Sequence, residues 1–201
     1  GMIARKAGNE FAEFGFLADT ERTAPADDER SILHLSDGWL KKAGNKLFLN
    51  GAEGTVEDAF EEALLALPKA YIKDITQLKY YVDFYTFNEY HNILKARHGN
   101  LGDIAQTGRP ELRYKTIKVV HEPTLDLATV EQANEGPGRS ILLVNPLNMV
   151  YGIFKDIVIK TVRDEYAFTT DFITSLQGDV HFEDENGAVA VFLEQEKPTE
   201  G

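Results

Sequence analysis

Ser140-Ile141-Leu142-Leu143-Val144-Asn145-Pro146-Leu147-Asn148-Met149-Val150-Tyr151-Gly152-Ile153 opens a stretch, running on to Phe192, around which the chain is organised. It reads as a strand at Ile141 to Val144, a turn at Asn145 to Asn148 and a bend at Met149 to Ile153. Four more extended runs follow: Asp156 to Arg163, Tyr166 to Leu176, Asp179 to Glu183 and Ala188 to Phe192. Each is short, rich in β-branched or aromatic residues, and bounded by charged or glycine-bearing turns, which is the pattern of strands. Asp184-Glu185-Asn186-Gly187 reads as a tight hairpin turn with Asn-Gly at its centre. No reactive constellation sits among these runs, so the stretch reads as architecture and the expected work is assembly.

Composition narrows the classes. The 201 residues can bury roughly 70% of the surface of the unfolded chain, enough for one good core or two small ones. Apolar residues make up 43% and charged residues 27%, as in soluble globular domains, and no apolar run approaches the ~18 residues of a membrane span. Met2-Ile3-Ala4-Arg5-Lys6 leads straight into polar sequence, so no export signal is expected. Cysteine is absent, which excludes disulfides, thiolate metal sites and thiol nucleophiles. Twenty-one Lys and Arg against 33 Asp and Glu give a net charge of −12, which opposes adhesion to phosphate backbones, so sequence-specific nucleic-acid binding is not expected. The same charge makes like copies repel, and any self-association must overcome that repulsion locally.

Outward from the central stretch, Asn9 to Leu17 carries Phe11, Phe14 and Leu17 at helical spacing. Asp19 to Arg30 reads as an exposed loop, Ser31 to Leu35 as a short strand, and Asp37 to Gly44 as a turn followed by one helical turn, with Trp39 a buried anchor. Thr55 to Leu67 is the clearest helix, opened by a capping-box pair Thr55/Asp58 and closed by Pro68. Tyr80 to Thr86 alternates as an aromatic strand, and a second helix follows with Thr86 as cap and Glu89 three residues later. Gly99 to Leu112 reads as a polar loop, Arg113 to His121 as one strand, and Gln132 to Arg139 as an exposed connection. Gly136-x-Gly138 lacks the rest of a dinucleotide fingerprint.

The order of these elements carries a family likeness. The acidic-capped helix ending in Leu67-Pro68, the Thr86-Phe87-Asn88-Glu89-Tyr90 helix with Ala96-Arg97, and the loop Leu101-Gly102-Asp103 lead to the strand Ile117-Lys118-Val119-Val120 and the block Asn145 to Ile153. Together these resemble the tailed-bacteriophage major capsid protein of the Hong Kong 97-like fold, from about Asp37 to Phe192. The resemblance implies an α+β fold with mixed sheets and a few helices. Residues 1–36 would be the end of a spine helix and a loop in a peripheral part, 37–140 mainly an axial domain, and 141–201 the strands returning through both.

It further implies a prophage capsid subunit lacking its N-terminal arm and extended loop, joined to copies of itself in pentamers and hexamers of an icosahedral shell. Scaffold or portal proteins would be further partners, and the location would be the virion, with the host cytoplasm during assembly. Arg163-Asp164-Glu165-Tyr166 holds no Asn where cross-linking members place one, so covalent welding is not expected. Lys155, Lys160 and Arg163 are spaced to meet acidic neighbours across a subunit contact.

Two other classes compete. An encapsulin-type compartment shell resembles the same fold. A metal-dependent hydrolase would need convergence of Asp164, Asp171, Asp184 and His181, and only His181 and Glu183 have the two-residue spacing that shares a strand face. His91 and His98, two helical turns and roughly 10 Å apart, are too distant to share a metal. An acidic module for a basic protein fits the charge but has no motif. The reading is therefore a non-enzyme with no catalytic residue, cofactor or metal.

Overall fold

Strand β5 (Arg139–Val144) buries Ile141, Leu142, Leu143 and Val144 completely. Successive strand residues point to opposite faces, so four consecutive buried positions require a sheet covered on both sides. The computed structural model describes residues 2–21, 31–50, 55–97, 111–132, 139–164 and 169–194, with side chains at 8–21, 32–49, 55–97, 111–127, 139–154 and 178–193. Within these, β5 lies inside a six-stranded sheet with β1 (Asn45–Asn50), β2 (Lys79–Val82), β3 (Arg113–Tyr114), β4 (Ile117–His121) and β8 (Ala188–Glu194), in the order β1-β8-β5-β2-β4-β3. The pairs β1/β8 and β2/β4 are parallel and the rest antiparallel, so the sheet is mixed.

Each face has its own helical cover. On one, α3 (Val56–Ala66) and α4 (Phe84–Arg97) bring Phe60, Ala63 and Tyr90 onto Tyr80, Val82, Ile117, Ile141, Leu143 and Val191. The Tyr80 hydroxyl donates to the Phe60 carbonyl at 2.8 Å, satisfying the polar end of a fully buried ring. On the other, α1 (Met2–Leu17), α2 (Trp39–Lys42) and α5 (Pro123–Gln132) bring Phe16, Leu17, Trp39, Leu40 and Leu125 onto Leu142, Val144, Ala188 and Ala190.

A second sheet is a two-stranded antiparallel hairpin of β6 (Met149–Asp164) and β7 (Thr169–Phe182). Its root packs on α1 and α2, with Trp39 donating from Nε1 to the His181 carbonyl at 3.0 Å. Gly178 permits that approach, because a Cβ there would stand 3.0 Å from the Phe11 ring and from the Gly152 carbonyl oxygen.

The α+β class with mixed sheets is borne out. So are the Trp39 anchor, at 1% exposure, and the α3 start, where the Thr55 side chain accepts from the Asp58 amide at 3.3 Å and the Asp58 carboxylate accepts from the Thr55 amide at 2.8 Å.

Several local expectations are corrected. The second helix starts at Phe84: Asp83, fully buried, accepts from the Thr86 amide at 2.9 Å and the Thr86 hydroxyl at 2.6 Å, so the cap is Asp83 and the strand ends at Val82. Ser31–His34 is a 3-10 turn, not a strand. Met149 to Ile153 is the first part of β6 and not a bend, and the expected runs Tyr166 to Leu176 and Asp179 to Glu183 are, over the described Thr169–Phe182, one strand, because polar positions such as Gln177 and Asp179 remain in the ladder. Asp184 to Gly187 is not a hairpin turn. It links β7 to β8, which lie in different sheets, through a 3-10 turn in which Asp184 accepts from the Asn186 amide at 3.0 Å.

The expected strand Arg113 to His121 is broken into β3 and β4 by a two-residue turn, with φ of 43° at Lys115 and 74° at Thr116. Such a turn normally selects Asn-Gly, and a β-branched Thr at positive φ is strained. The ion pair of Lys115 with Glu61, and the bond from Tyr114 Oη to Glu61 at 2.8 Å, hold it against α3. Strand β1 and helix α5 carry no sequence expectation above. The loop expectations over 22–30, 99–110 and 133–138 lie outside the described residues.

Leu143→Ala is expected to lower the unfolding free energy by about 3 kcal/mol in urea titration, because the fully buried side chain leaves a cavity. Thr116→Gly is expected to raise it by about 0.5 kcal/mol, as relief of the positive-φ strain exceeds the entropic cost of glycine.

Candidate assembly surfaces

The Asn145 to Ile153 block is the joint between the sheet and the hairpin. Asn145 accepts the Leu147 amide at 3.0 Å and donates from Nδ2 to Gln77 Oε1 at 3.3 Å, turning the chain out of β5. Asn148 makes a reciprocal pair with Asp184: Nδ2 donates to the Asp184 carbonyl at 2.7 Å, and Oδ1 accepts the Asp184 amide at 2.7 Å. The Tyr71 hydroxyl closes the arrangement onto the Asp184 carboxylate. Gly187 is required by crowding here, since a Cβ would come 2.9 Å from Asn148 Nδ2 and 3.2 Å from the Tyr71 ring.

A cleft of about 570 Å³ lies over this joint, lined by Tyr71, Asp74, Gln77, Asn145, Asn148 and Asp184 among others. Its polar groups are largely occupied in fixing the turns. Hydrogen bonds from the Tyr71 hydroxyl and the Asn186 amide hold the Asp184 carboxyl below its ordinary range, and the same contact pushes the Tyr71 hydroxyl up, so it stays protonated at neutral pH. Asp74 is held low by Thr76 and Gln77. The cleft is built as a clasp, and no nucleophile is poised in it.

Of the hydrolase alternative, the side chains of His181 and Asp184 are described, and each is engaged locally. His181 is exposed, with Nε2 at 3.6 Å from Asp179, while Asp179 is committed to Lys42 and Ser36. Asp184 is bound by Tyr71, and the side chains of Asp164 and Asp171 lie outside the described ones. Among the described residues no group of three His, Asp or Glu is placed to hold a metal, and no helix is long and apolar enough to cross a membrane.

One polar pair was not legible in advance: His121 Nε2 to Asp126 Oδ2 at 2.8 Å, with Asp126 Oδ1 accepting the Phe84 amide at 2.6 Å. It ties α5 to the start of α4. His98 and the side chains of Lys155, Lys160 and Arg163, proposed for intersubunit pairing, lie outside the described ones.

Beside the exposed acids Glu183, Asp184 and Glu185, the joint also presents apolar side chains to solvent. Leu147, Val150 and Ile153 are exposed, and Phe154 is 90% exposed. Phe154 is the extra residue of a β-bulge, where Ile153 pairs with Gly178 and Lys155 with Gln177; bulges re-aim side chains in this way. Tyr151 in the same run is engaged, with its ring 4.7 Å from Trp39 and 5.5 Å from Phe11.

Two solved structures share this architecture. A chain of the satellite phage P4 procapsid including size determination (Sid) protein is 14% identical with a TM-score of 0.63, covering 97% of this chain and 66% of that one. A chain from Mycobacterium phage Che8 is 12% identical with a TM-score of 0.54, covering 76% and 55%. The chain thus spans about two thirds and about half of the lengths of those two. No protein-family model matches it, and no curated protein matches it. At these identities the likeness establishes the fold: α+β with a mixed sheet, the fold of phage capsid proteins.

In Tyr71→Phe the Asp184 carboxyl is expected to titrate closer to its ordinary value, read by carboxyl-carbon NMR, because the largest cause of its depression is removed. Asp37, Glu61, Asp74 and Asp184 are all held below their unfolded values, so their stabilisation is present above about pH 4 and is lost as pH falls through the lower folded-state range. The urea midpoint should be level from about pH 5 to 7 and drop steadily below about pH 4.

Proposed function

We propose that the chain is a shell subunit of a phage or prophage head, which joins copies of itself into an icosahedral coat around DNA. The observation that carries this reading is the exposed apolar band Leu147, Val150, Ile153 and Phe154 at the joint of a body with a phage-capsid fold. Isolated exposed apolar residues are ordinary, but four within eight residues, one of them the extra residue of a bulge, concentrate apolar exposure in one short stretch, which is more than a lone strand end accounts for. The fold likeness to a chain of the P4 procapsid supports the same role.

In this reading residues 1–36 and the hairpin form a peripheral part, 37–140 make up most of an axial part, and 141–201 return through both. Scaffold and portal proteins are the expected further partners, and the virion the expected location, reached from the host cytoplasm. Catalysis has no part in it. A net charge of −12 demands that the contacts be local and complementary, which suits a coat assembled under control and not by general stickiness.

The test is assembly of the protein, followed by sedimentation and negative-stain microscopy. Closed particles containing DNA are expected on coexpression with packaging proteins, while particles filled with protein cargo would replace the phage reading with an encapsulin-like one. Phe154→Ser should raise the concentration needed for assembly by about tenfold, since burial of one large apolar side chain is worth roughly 1.5–3 kcal/mol. It should leave the monomer's thermal midpoint unchanged, because Phe154 makes little contact within the chain.

A further inference from the structure

Asn186-Gly187, the centre of the turn between β7 and β8, has a chemistry of its own. The backbone nitrogen that follows an asparagine can attack the side-chain carbonyl carbon and close a five-membered succinimide ring. Here the new bond would join Gly187 N to Asn186 Cγ; the Cγ–Nδ2 bond would break, and the amide proton would leave with Nδ2 as ammonia. Water then opens the ring at either carbonyl, giving aspartate or isoaspartate. Glycine favours the attack because no Cβ blocks the approach.

In the folded chain both reacting groups are held elsewhere. The Gly187 amide donates to the Asp184 carbonyl at 3.1 Å and is buried, with Asn148 Nδ2 and the Tyr71 ring filling the space where a Cβ would stand. The Asn186 carboxamide donates from Nδ2 to Asp184 Oδ1 at 3.2 Å. Its backbone is fixed as well, the amide on the same oxygen at 3.0 Å and the carbonyl on Asn45 Nδ2 at 3.1 Å. Asp184 is itself clamped, with Asn148 bonding its amide and its carbonyl at 2.7 Å each and Tyr71 its carboxylate. Attack requires the Gly187 amide to give up its proton and move onto Cγ. A proton already bonded, beside a carboxylate held ionised, opposes both.

We propose that Asn186-Gly187 is a latent self-modification site gated by the joint: closed while the clasp is intact, and converted to aspartate or isoaspartate once Asn148 and Tyr71 release Asp184. The inference does not rest on the shell reading. Conversion makes the opening irreversible. As aspartate, residue 186 puts a carboxylate where its Nδ2 met Asp184 Oδ1, so attraction becomes repulsion between like charges. As isoaspartate, the main chain gains one carbon between residues 186 and 187. The turn has no slack for it, because Gly187 already lies against Asn148 and Tyr71, and the Gly44 amide bonds the Glu185 carbonyl at 2.9 Å.

The test is a peptide map of the chain after incubation in mildly alkaline buffer, which reads the fraction of residue 186 present as acid. Asn50-Gly51, the other Asn-Gly pair of the sequence, falls in a separate peptide. Folded wild type should convert at residue 186 at least about tenfold more slowly than the same chain in urea, because reaction waits on local opening. Asn148→Ala, shown folded by circular dichroism, should convert about tenfold faster than folded wild type, the factor that losing a pair of hydrogen bonds brings to an opening equilibrium. Tyr71→Phe, the milder lesion, should convert a few-fold faster. Asn186→Asp should speed hydrogen exchange at the Gly187 amide, reading the lost closure without the chemistry. Equal rates in folded and urea-unfolded wild type overturn the gate, and so do folded clasp variants that convert no faster than wild type. Absence of conversion at residue 186 even in urea overturns the site itself.

Discussion

Two-sided burial of β5 is the constraint on which the structure depends. Four consecutive apolar residues with no exposure oblige helices to lie on both faces of the sheet, and the cover differs between the faces. Under α3 and α4 the core is aromatic: Phe60 meets Tyr80 at 4.6 Å and Tyr90 at 5.2 Å, and each tyrosine hydroxyl finds a backbone carbonyl. Burial pushes the Tyr90 hydroxyl up to about 12, so the ring remains neutral wherever the protein is folded. Under α1, α2 and α5 the sheet offers Ala188 and Ala190, small residues that let helices approach, while Trp39 fills the space and ties α2 to the hairpin.

The hairpin inherits its position from that second core. Val180 and Phe182 at the end of β7 are buried with Trp39 and Phe16, and Lys42 bonds the Val180 carbonyl at 2.6 Å and Asp179 at 3.2 Å. Asn148 and Asp184 then fix where both strands leave the sheet. Removing both bonds of such a pair leaves the two ends of the Asn148 amide and the Asp184 backbone N–H and carbonyl to find water, so the joint favours one geometry over a range of angles. Gly178, Gly187 and Gly44 each sit where a Cβ would collide with backbone or ring, which makes the crossing points close and their spacing invariant.

Legibility in the sequence followed the range of the interactions. The α3 cap was readable because Thr55 and Asp58 act on each other across three residues, and Trp39 because a lone large ring, with no basic residues interleaved with other aromatics nearby, belongs in a core. The cap of α4 was misassigned because Asp83-x-x-Thr86 and Thr86-x-x-Glu89 are both capping patterns, and the choice is made by Arg139, which donates to Thr86 Oγ1 at 2.9 and 3.0 Å from a distant strand. The Lys115-Thr116 turn had no signature, since its residues oppose the conformation and Glu61 on α3 holds it. Strand β1 was invisible because its apolar run Leu47-Phe48-Leu49 does not alternate with polar residues, Phe48 being exposed, and its pairing with β8 spans most of the chain. The fold class survived these errors because it rests on the order of apolar segments and not on their ends.

Charge and assembly bear on each other. A chain at −12 meeting its own copies at physiological ionic strength feels repulsion that decays over roughly 8 Å, so contacts must lie where carboxylates are absent or neutralised internally. On the described surface, Glu57, Glu61 and Glu111 are engaged by Arg97, Lys115 and Lys118, and at the joint Asp184 is engaged by Tyr71 while Glu183 and Glu185 remain exposed. Acidic residues paired inside the chain carry less unscreened charge than free ones. In the proposed shell, a net charge of −12 would keep copies apart at long range and favour approach where apolar packing replaces water.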